Sequence, residues 1–115
     1  MPPIKDVFEL DENLMTDEVR NFIKEAKNCV ALYAKKNHDY GNSFDKGMET
    51  IGLAYGIGRI YDKVNRLVTL TKTKQAVTDE SIDDTLKDLA CYSIMMLAYR
   101  KHERKQKLEE IDLGQ

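Results

Sequence analysis

One segment limits the possible folds of this chain more than any other. In "DTLKDLACYSIMMLAYR", residues 84–100, Leu86, Leu89, Ile94, Met95, Met96, Leu97 and Ala98 fall on more than one side of a helix. A helix that is apolar on several sides is buried on several sides. In a chain of 115 residues, a single-domain length, that requires a central helix or a subunit interface. Its start is marked as well. Thr78 can act as N-cap, Asp79 and Glu80 suit the positive end of the helix dipole, and Val77 and Ile82 have the spacing of a hydrophobic staple. The helix is expected from Asp79 to about Lys105.

Two further helices follow from the same periodicity. Thr16 as N-cap, Asp17 and Glu18 in the first turn, and Val19, Phe22, Ile23, Ala26, Val30 and Tyr33 in register predict a helix to about Lys36. The turn formers of "KNHDYGNSF" end it, with Gly41 free to adopt the left-handed conformation. A second helical region is expected from about Phe44 to Thr71, loosened by Gly52, Gly56 and Gly58, which would let helices approach closely. "LVTLT" alone could be a strand, but it continues the helical period of Ile60, Val64, Leu67 and Val68. "KTKQAV" reads as a polar connection. The expectation is one all-α domain over 1–115, a bundle of three long helices plus short additions completed by oligomerisation. An N-terminal arm over about 1–14, with Phe8 and Leu10 packing back, and a polar tail over about 104–115 complete it.

With 18 basic and 20 acidic residues, net charge −2, the chain gives no electrostatic case for DNA or RNA binding, which needs a concentrated basic face. No run is long enough to span a membrane and no signal-peptide pattern opens the chain. Cys29 and Cys91 lie in apolar helical patterns without metal-finger spacing, which reads as buried thiols in a reducing, cytoplasmic compartment.

Asp84 and Asp88 pose the chemical question. They stand one helical turn apart, a spacing at which like charges repel by about 0.2–0.5 kcal/mol. The helix dipole explains Asp79 and Glu80 but fades before Asp88. Asp88 is flanked by Leu86, Leu89 and Ala90, and the apolar stripe continues through Cys91 or Tyr92 to Met95, so its carboxylate should meet another helix and need a cation there. "GRIYDKVNRL" supplies candidates: Arg59, Asp62, Lys63 and Arg66 share one face, with Asn65 beside them. Two readings stand. In one, Lys63 or Arg66 pairs with Asp84 or Asp88 in an interhelical ion-pair network. In the other, Asp62, Asp84 and Asp88, with Glu80 as a fourth ligand, surround Mg²⁺ while Lys63 and Arg66 face phosphate oxygens.

Loop residues His38, Asp39 and Tyr40 could read a base by stacking and hydrogen bonding, or could simply terminate a helix. Tyr92 shares the Asp88 face and either points into a pocket or packs in the core. His102 lies in a charged, solvated tail. No Ser/His/Asp arrangement, P-loop or dinucleotide glycine motif is present.

"KNHDYGNSFDKG", "RIYDKVNRL" and "ESIDDTLKDLACYSIM", in that order, resemble the nucleotide-modification-associated domain family of bacteria and phages. That family in turn resembles the MazG-like, all-α nucleoside triphosphate pyrophosphohydrolases, the group that includes the dimeric dUTPases. The resemblance covers about residues 30–100. In that superfamily an E-E-x-x-E element on one helix and an E-x-x-D element on the next bind Mg²⁺, and water attacks the triphosphate to give monophosphate and pyrophosphate. By the resemblance, Asp62 takes the place of a carboxylate on the first of these helices and Asp88 that of the final Asp. Asp84 stands near the Glu of the second element, at a spacing of four instead of three. Asn65 sits where a further carboxylate belongs, and Lys63 replaces an acid.

The resemblance implies a homo-oligomer, dimer or tetramer, that binds a nucleoside triphosphate with Mg²⁺ and hydrolyses it. Asp62, Asp84 and Asp88, with Glu80 as a fourth, would be ligands, and Lys63 and Arg66 would stabilise the phosphates; Asn65 beside them, and Asp39, Tyr40 and Tyr92 from the reading of the loop and of the Asp88 face, are the candidates for substrate contact. The smaller number of carboxylates favours a rival, a non-catalytic nucleotide-binding or accessory subunit of a nucleotide-modification system. A purely structural helical oligomer is the third reading.

Overall fold

The computed structural model describes residues 10–72 and 79–113. Among them are a short 3-10 turn, Glu12–Leu14, and four α-helices: α1 (Asp17–Tyr40), α2 (Ser43–Ile51), α3 (Leu53–Lys72) and α4 (Asp79–Leu113). No strand occurs among the described residues, and the chain is all-α. No described helix is long and apolar enough to cross a membrane. The polar connection over 73–78, with Thr78 and Val77, lies outside the described residues, as does the N-terminal arm over 1–9 with Phe8; the rest of the arm holds the 3-10 turn, and Leu10 is exposed rather than packed back.

The caps expected at α1 are present. Thr16 Oγ1 accepts the Val19 N–H at 3.2 Å, and Gly41, at φ 59°, closes the helix with its N–H on Asn37 O. The closure comes after Tyr40, so α1 runs a turn beyond Lys36. His38 and Asp39 are therefore helical and exposed rather than in a loop.

The region expected as one helix over about 44–71 is two. Gly52 adopts φ 93° and turns its N–H onto Met48 O at 2.8 Å, which ends α2 and lets α3 leave in a new direction. A side chain would strain that conformation, so the break belongs to this glycine. Gly56 acts differently: a Cβ there would lie 2.6 Å from Met96 Sδ, so its absence sets the approach of α3 to α4. Helix α4 extends past Lys105 to Leu113, taking in most of the expected tail.

Helices α3 and α4 form an antiparallel pair. Gly56 opposes Met96, Arg59 opposes Tyr92, Lys63 opposes Asp88, and Arg66 opposes Thr85. Helix α2 folds onto one side of the pair, where the Phe44 ring lies 5.7 Å from Tyr55 and 5.9 Å from Tyr92. Helix α1 crosses α4 on that same side, with the Cys91 thiol 3.6 Å from Cys29 O and Lys36 at Asp88.

The core is small. Among the described residues Cys29, Phe44, Met48 and Thr85 are the buried side chains. The one polar member is satisfied, since Thr85 Oγ1 accepts from Arg66 Nε at 3.2 Å and donates to Ser81 O at 2.7 Å. The radius of gyration is 17.8 Å, against about 13 Å for a compact domain of this length.

Candidate functional site

A cavity of about 310 Å³ opens where the four helices meet. That is within the range of small-molecule sites, roughly 300–1,000 Å³. Its walls are aromatic: Tyr33 from α1, Phe44 from α2, Tyr55 from α3 and Tyr92 from α4. Polar groups enter at one side, with Lys36 and Asn37 at the end of α1, Asn42 and Ser43 at the start of α2, Arg59 and Asp88.

The turn between α1 and α2 places the second group. Asn42 takes φ 60°, a left-handed conformation that asparagine tolerates better than most residues. Arg59 is held by stacking and a hydrogen bond. Its guanidinium carbon lies 5.9 Å from the Tyr55 ring centroid and 5.6 Å from that of Tyr92, and it donates to the Tyr92 hydroxyl at 3.4 Å. Cation–π contacts of this kind contribute about 0.5–2 kcal/mol each.

Asp88 ties three helices together. Its Oδ1 accepts from Lys36 Nζ at 3.2 Å and its Oδ2 from Lys63 Nζ at 3.1 Å. Burial pushes the Asp88 carboxyl up, but the hydrogen bonds from Lys63 and Lys36 outweigh it and hold the group below its ordinary value. Lys36, Lys63 and Arg59 against Asp88 leave this corner with an excess of two positive charges.

The expected site residues therefore separate. Asp88 and Tyr92 line the cavity, and Lys63 reaches Asp88 from behind. Arg66 bonds to Thr85 rather than to Asp84 or Asp88. Asp62, Asn65 and Asp84 are exposed and, like Asp39, absent from the cavity wall. The side chains of Glu80 and Tyr40 lie outside the described residues. Of the two readings of the acidic face, the ion-pair network is present in the form of Lys63 with Asp88, and α1 contributes its second cation.

The sequence reading placed Tyr33, Lys36 and Phe44 in helices but assigned neither them nor Tyr55 to the site. Lys36 and Tyr33 stand at the C-terminal end of the α1 pattern, next to the turn, and the recurrence of aromatic residues around "DYGNSF" was the available signal.

A magnesium ion needs oxygen ligands that are not already taken by cations. Among the described residues no three His, Cys, Asp or Glu side chains come together as a metal site. Asp88, the carboxylate at the cavity, already accepts from an ammonium group on each oxygen. The described residues of one chain do not fit a protein-built magnesium cage.

A second cavity, about 520 Å³, lies between α1, α2 and the stretch of α4 from Cys91 to Gln106. Its charged rim is Asp45, Glu49 and Glu103, and burial together with these carboxylates pushes the Tyr99 phenol up. That field repels phosphate. The smaller cavity is the site suited to an anionic ligand.

No curated protein and no solved structure matches the chain. A family model does, over residues 36–99, more than half of the sequence and the stretch that runs from Lys36 through α2 and α3 to Tyr99. The chain belongs to the family of nucleotide modification associated domain 1.

Proposed function

We propose that the protein binds a nucleotide in the four-helix cavity, its base against the aromatic walls and its phosphate toward Lys36 and Arg59. The observation that carries this reading is Arg59, held between the Tyr55 and Tyr92 rings beside the Lys36–Asp88 pair. A flat π-surface and a pre-oriented guanidinium meet at one wall. Stacking of a base on an aromatic side chain contributes about 1–3 kcal/mol, and a guanidinium matches phosphate oxygens two at a time. Lys36 is half exposed, so an incoming phosphate can share its ammonium with Asp88. Asn37, Asn42 and Ser43 supply neutral donors and acceptors for a base edge or a sugar hydroxyl.

Magnesium-dependent hydrolysis of a nucleoside triphosphate to monophosphate and pyrophosphate is the more demanding form of the reading. It asks for carboxylates around a metal, and at this cavity Asp88 is engaged by two lysines. Binding without turnover, an accessory role in nucleotide modification, is the form these residues support best.

Calorimetric titration with a panel of nucleoside mono- and triphosphates, ribo and deoxy, in the presence of chelator tests it. Saturable micromolar binding that weakens about tenfold, or about 1.4 kcal/mol, in Arg59→Gln is expected. Absence of binding by every nucleotide would remove the reading. Product analysis with Mg²⁺ accompanies the titration, and metal-dependent pyrophosphate release lost in Asp88→Asn would restore the hydrolase.

A further inference from the structure

The charges around Asp88 set how many phosphate groups the four-helix cavity can hold. Among the described residues that line it, Lys36 and Arg59 are the cations and Asp88 is the anion. Lys63 adds a third cation through Asp88 Oδ2, which leaves the excess of two positive charges. That excess is local. Lys36 and Lys63 flank one carboxylate, and Arg59 bonds to Tyr92, one helical turn along α4 from Asp88.

The surroundings do not extend it. The rest of the described wall is neutral, from the aromatic rings to Asn37, Asn42 and Ser43. The second cavity shares Tyr33, Cys91 and Met95 with the first, and its rim carries Asp45, Glu49 and Glu103. A phosphate chain growing that way would leave the cations and meet carboxylates. The volume of about 310 Å³ also stands at the small end of ligand sites, roughly 300–1,000 Å³.

We infer that the ligand of this cavity is a nucleoside monophosphate, bound as its dianion and without a metal ion, rather than a triphosphate. The inference rests on the nucleotide reading above and narrows its ligand class. A phosphate monoester carries about −1.5 to −2 charges at pH 7, its second ionisation lying near pH 6. Such a group matches the excess of two, while Asp88 keeps Lys63 and shares Lys36. Each further phosphoryl group brings negative charge that no cation of the wall meets, and uncompensated charge in a partly enclosed site is unfavourable. Magnesium on the phosphates does not repair the balance. The dication would stand among Lys36, Arg59 and Lys63, and each Asp88 oxygen already accepts from an ammonium group.

The dianion gives the binding a pH signature. The phosphate position is faced by Lys36 from α1, neutral Ser43 from α2, Arg59 and Lys63 from α3, and Asp88 and Cys91 from α4. Burial raises the Asp88 carboxyl, yet Lys63 and Lys36 hold it below its ordinary 3.8. Burial and Cys29 push the Cys91 thiol up to about 11. Neither His38 nor His102 lines the cavity. Between about pH 7.5 and about pH 5.5 the ligand phosphate is therefore the group whose charge changes.

Calorimetric titration of the full chain tests the inference with the mono-, di- and triphosphates of each common nucleoside, ribo and deoxy, in chelator and again with Mg²⁺. The monophosphate should bind at least about tenfold tighter than its triphosphate, and Mg²⁺ should not reverse the order. Its affinity should fall about fourfold from pH 7.5 to pH 5.5, as the dianion fraction falls. Two variants move the charge balance in opposite directions. Asp88→Asn adds one positive charge to the excess and should shift preference toward the diphosphate, whereas Lys63→Gln removes one and should weaken the monophosphate several-fold. Circular dichroism checks that both are folded, and the series on the unaltered chain decides the matter if either is not. A triphosphate that binds as tightly as the monophosphate, with or without Mg²⁺, or a monophosphate affinity flat with pH, would overturn the inference and leave the nucleotide reading standing. Absence of binding by every nucleotide would remove both.

Discussion

Lys63 Nζ lies 3.1 Å from Asp88 Oδ2, a contact that joins α3 to α4 at the level of the cavity. Lys36 holds the other oxygen from α1, so one carboxylate registers three helices. The two lysines arrive from 52 residues upstream and 25 residues upstream of it in the chain. Such a contact constrains tertiary arrangement far more than it adds local helix stability.

Asp88→Asn removes the charge that both ammonium groups face. Breaking a fully buried pair costs about 3–5 kcal/mol, but Lys36 is half exposed, so a loss of about 1–2 kcal/mol is expected in denaturant unfolding. Nucleotide affinity separates the readings. If Asp88 only positions Lys36 and Lys63, removing its negative charge leaves phosphate binding intact or tighter. A purely structural role predicts the same destabilisation with no nucleotide bound by either protein. A metal ligand predicts complete loss of any hydrolysis.

The pH dependence has a definite sign. The Asp88 carboxyl titrates below its ordinary value of 3.8 in the folded chain. A depressed carboxyl stabilises the fold above the unfolded value, and that contribution is lost as pH falls through the folded one. Thermal unfolding between pH 6 and 2 should therefore show a stability decrease below about pH 4 that is smaller in Asp88→Asn. Equal curves for the two proteins would show that the lysine contacts contribute nothing.

Arg59→Lys tests the geometry rather than the charge. An ammonium keeps the positive charge but loses the planar fork that lies against Tyr55 and Tyr92. Binding of a nucleoside monophosphate is expected to weaken several-fold in Arg59→Lys and about tenfold in Arg59→Gln, or about 1.4 kcal/mol. Identical affinities for Arg59→Lys and the parent chain would reduce Arg59 to a point charge.

Two glycines of α3 should respond in opposite directions to alanine. At Gly56 the new methyl meets Met96, and overpacking of that kind costs about 1–3 kcal/mol. At Gly58 nothing lies within 4 Å, so the helical preference of alanine should stabilise by about 0.5–1 kcal/mol. Unfolding midpoints of the two variants compare them directly.

Local chemistry was legible in the sequence wherever neighbours along the chain decide the outcome. The apolar period and the Thr16 cap predicted α1, and the several-sided apolar pattern predicted α4 as the helix that others pack on. The period also carried the region after Phe44 through to Thr71, yet Gly52 breaks it, because one residue at positive φ redirects a chain whose apolar pattern continues unchanged. Asp88 was legible as a carboxylate in need of a cation. That its partners are Lys36 and Lys63, while Arg66 turns to Thr85, depended on how α1 crosses α4 and on the register between α3 and α4. Helical periodicity reaches a few residues along the chain; helix crossing is settled by the packing of Gly56 on Met96 and Phe44 on Tyr55, residues 40 and 11 positions apart. The cavity exists only where those crossings meet.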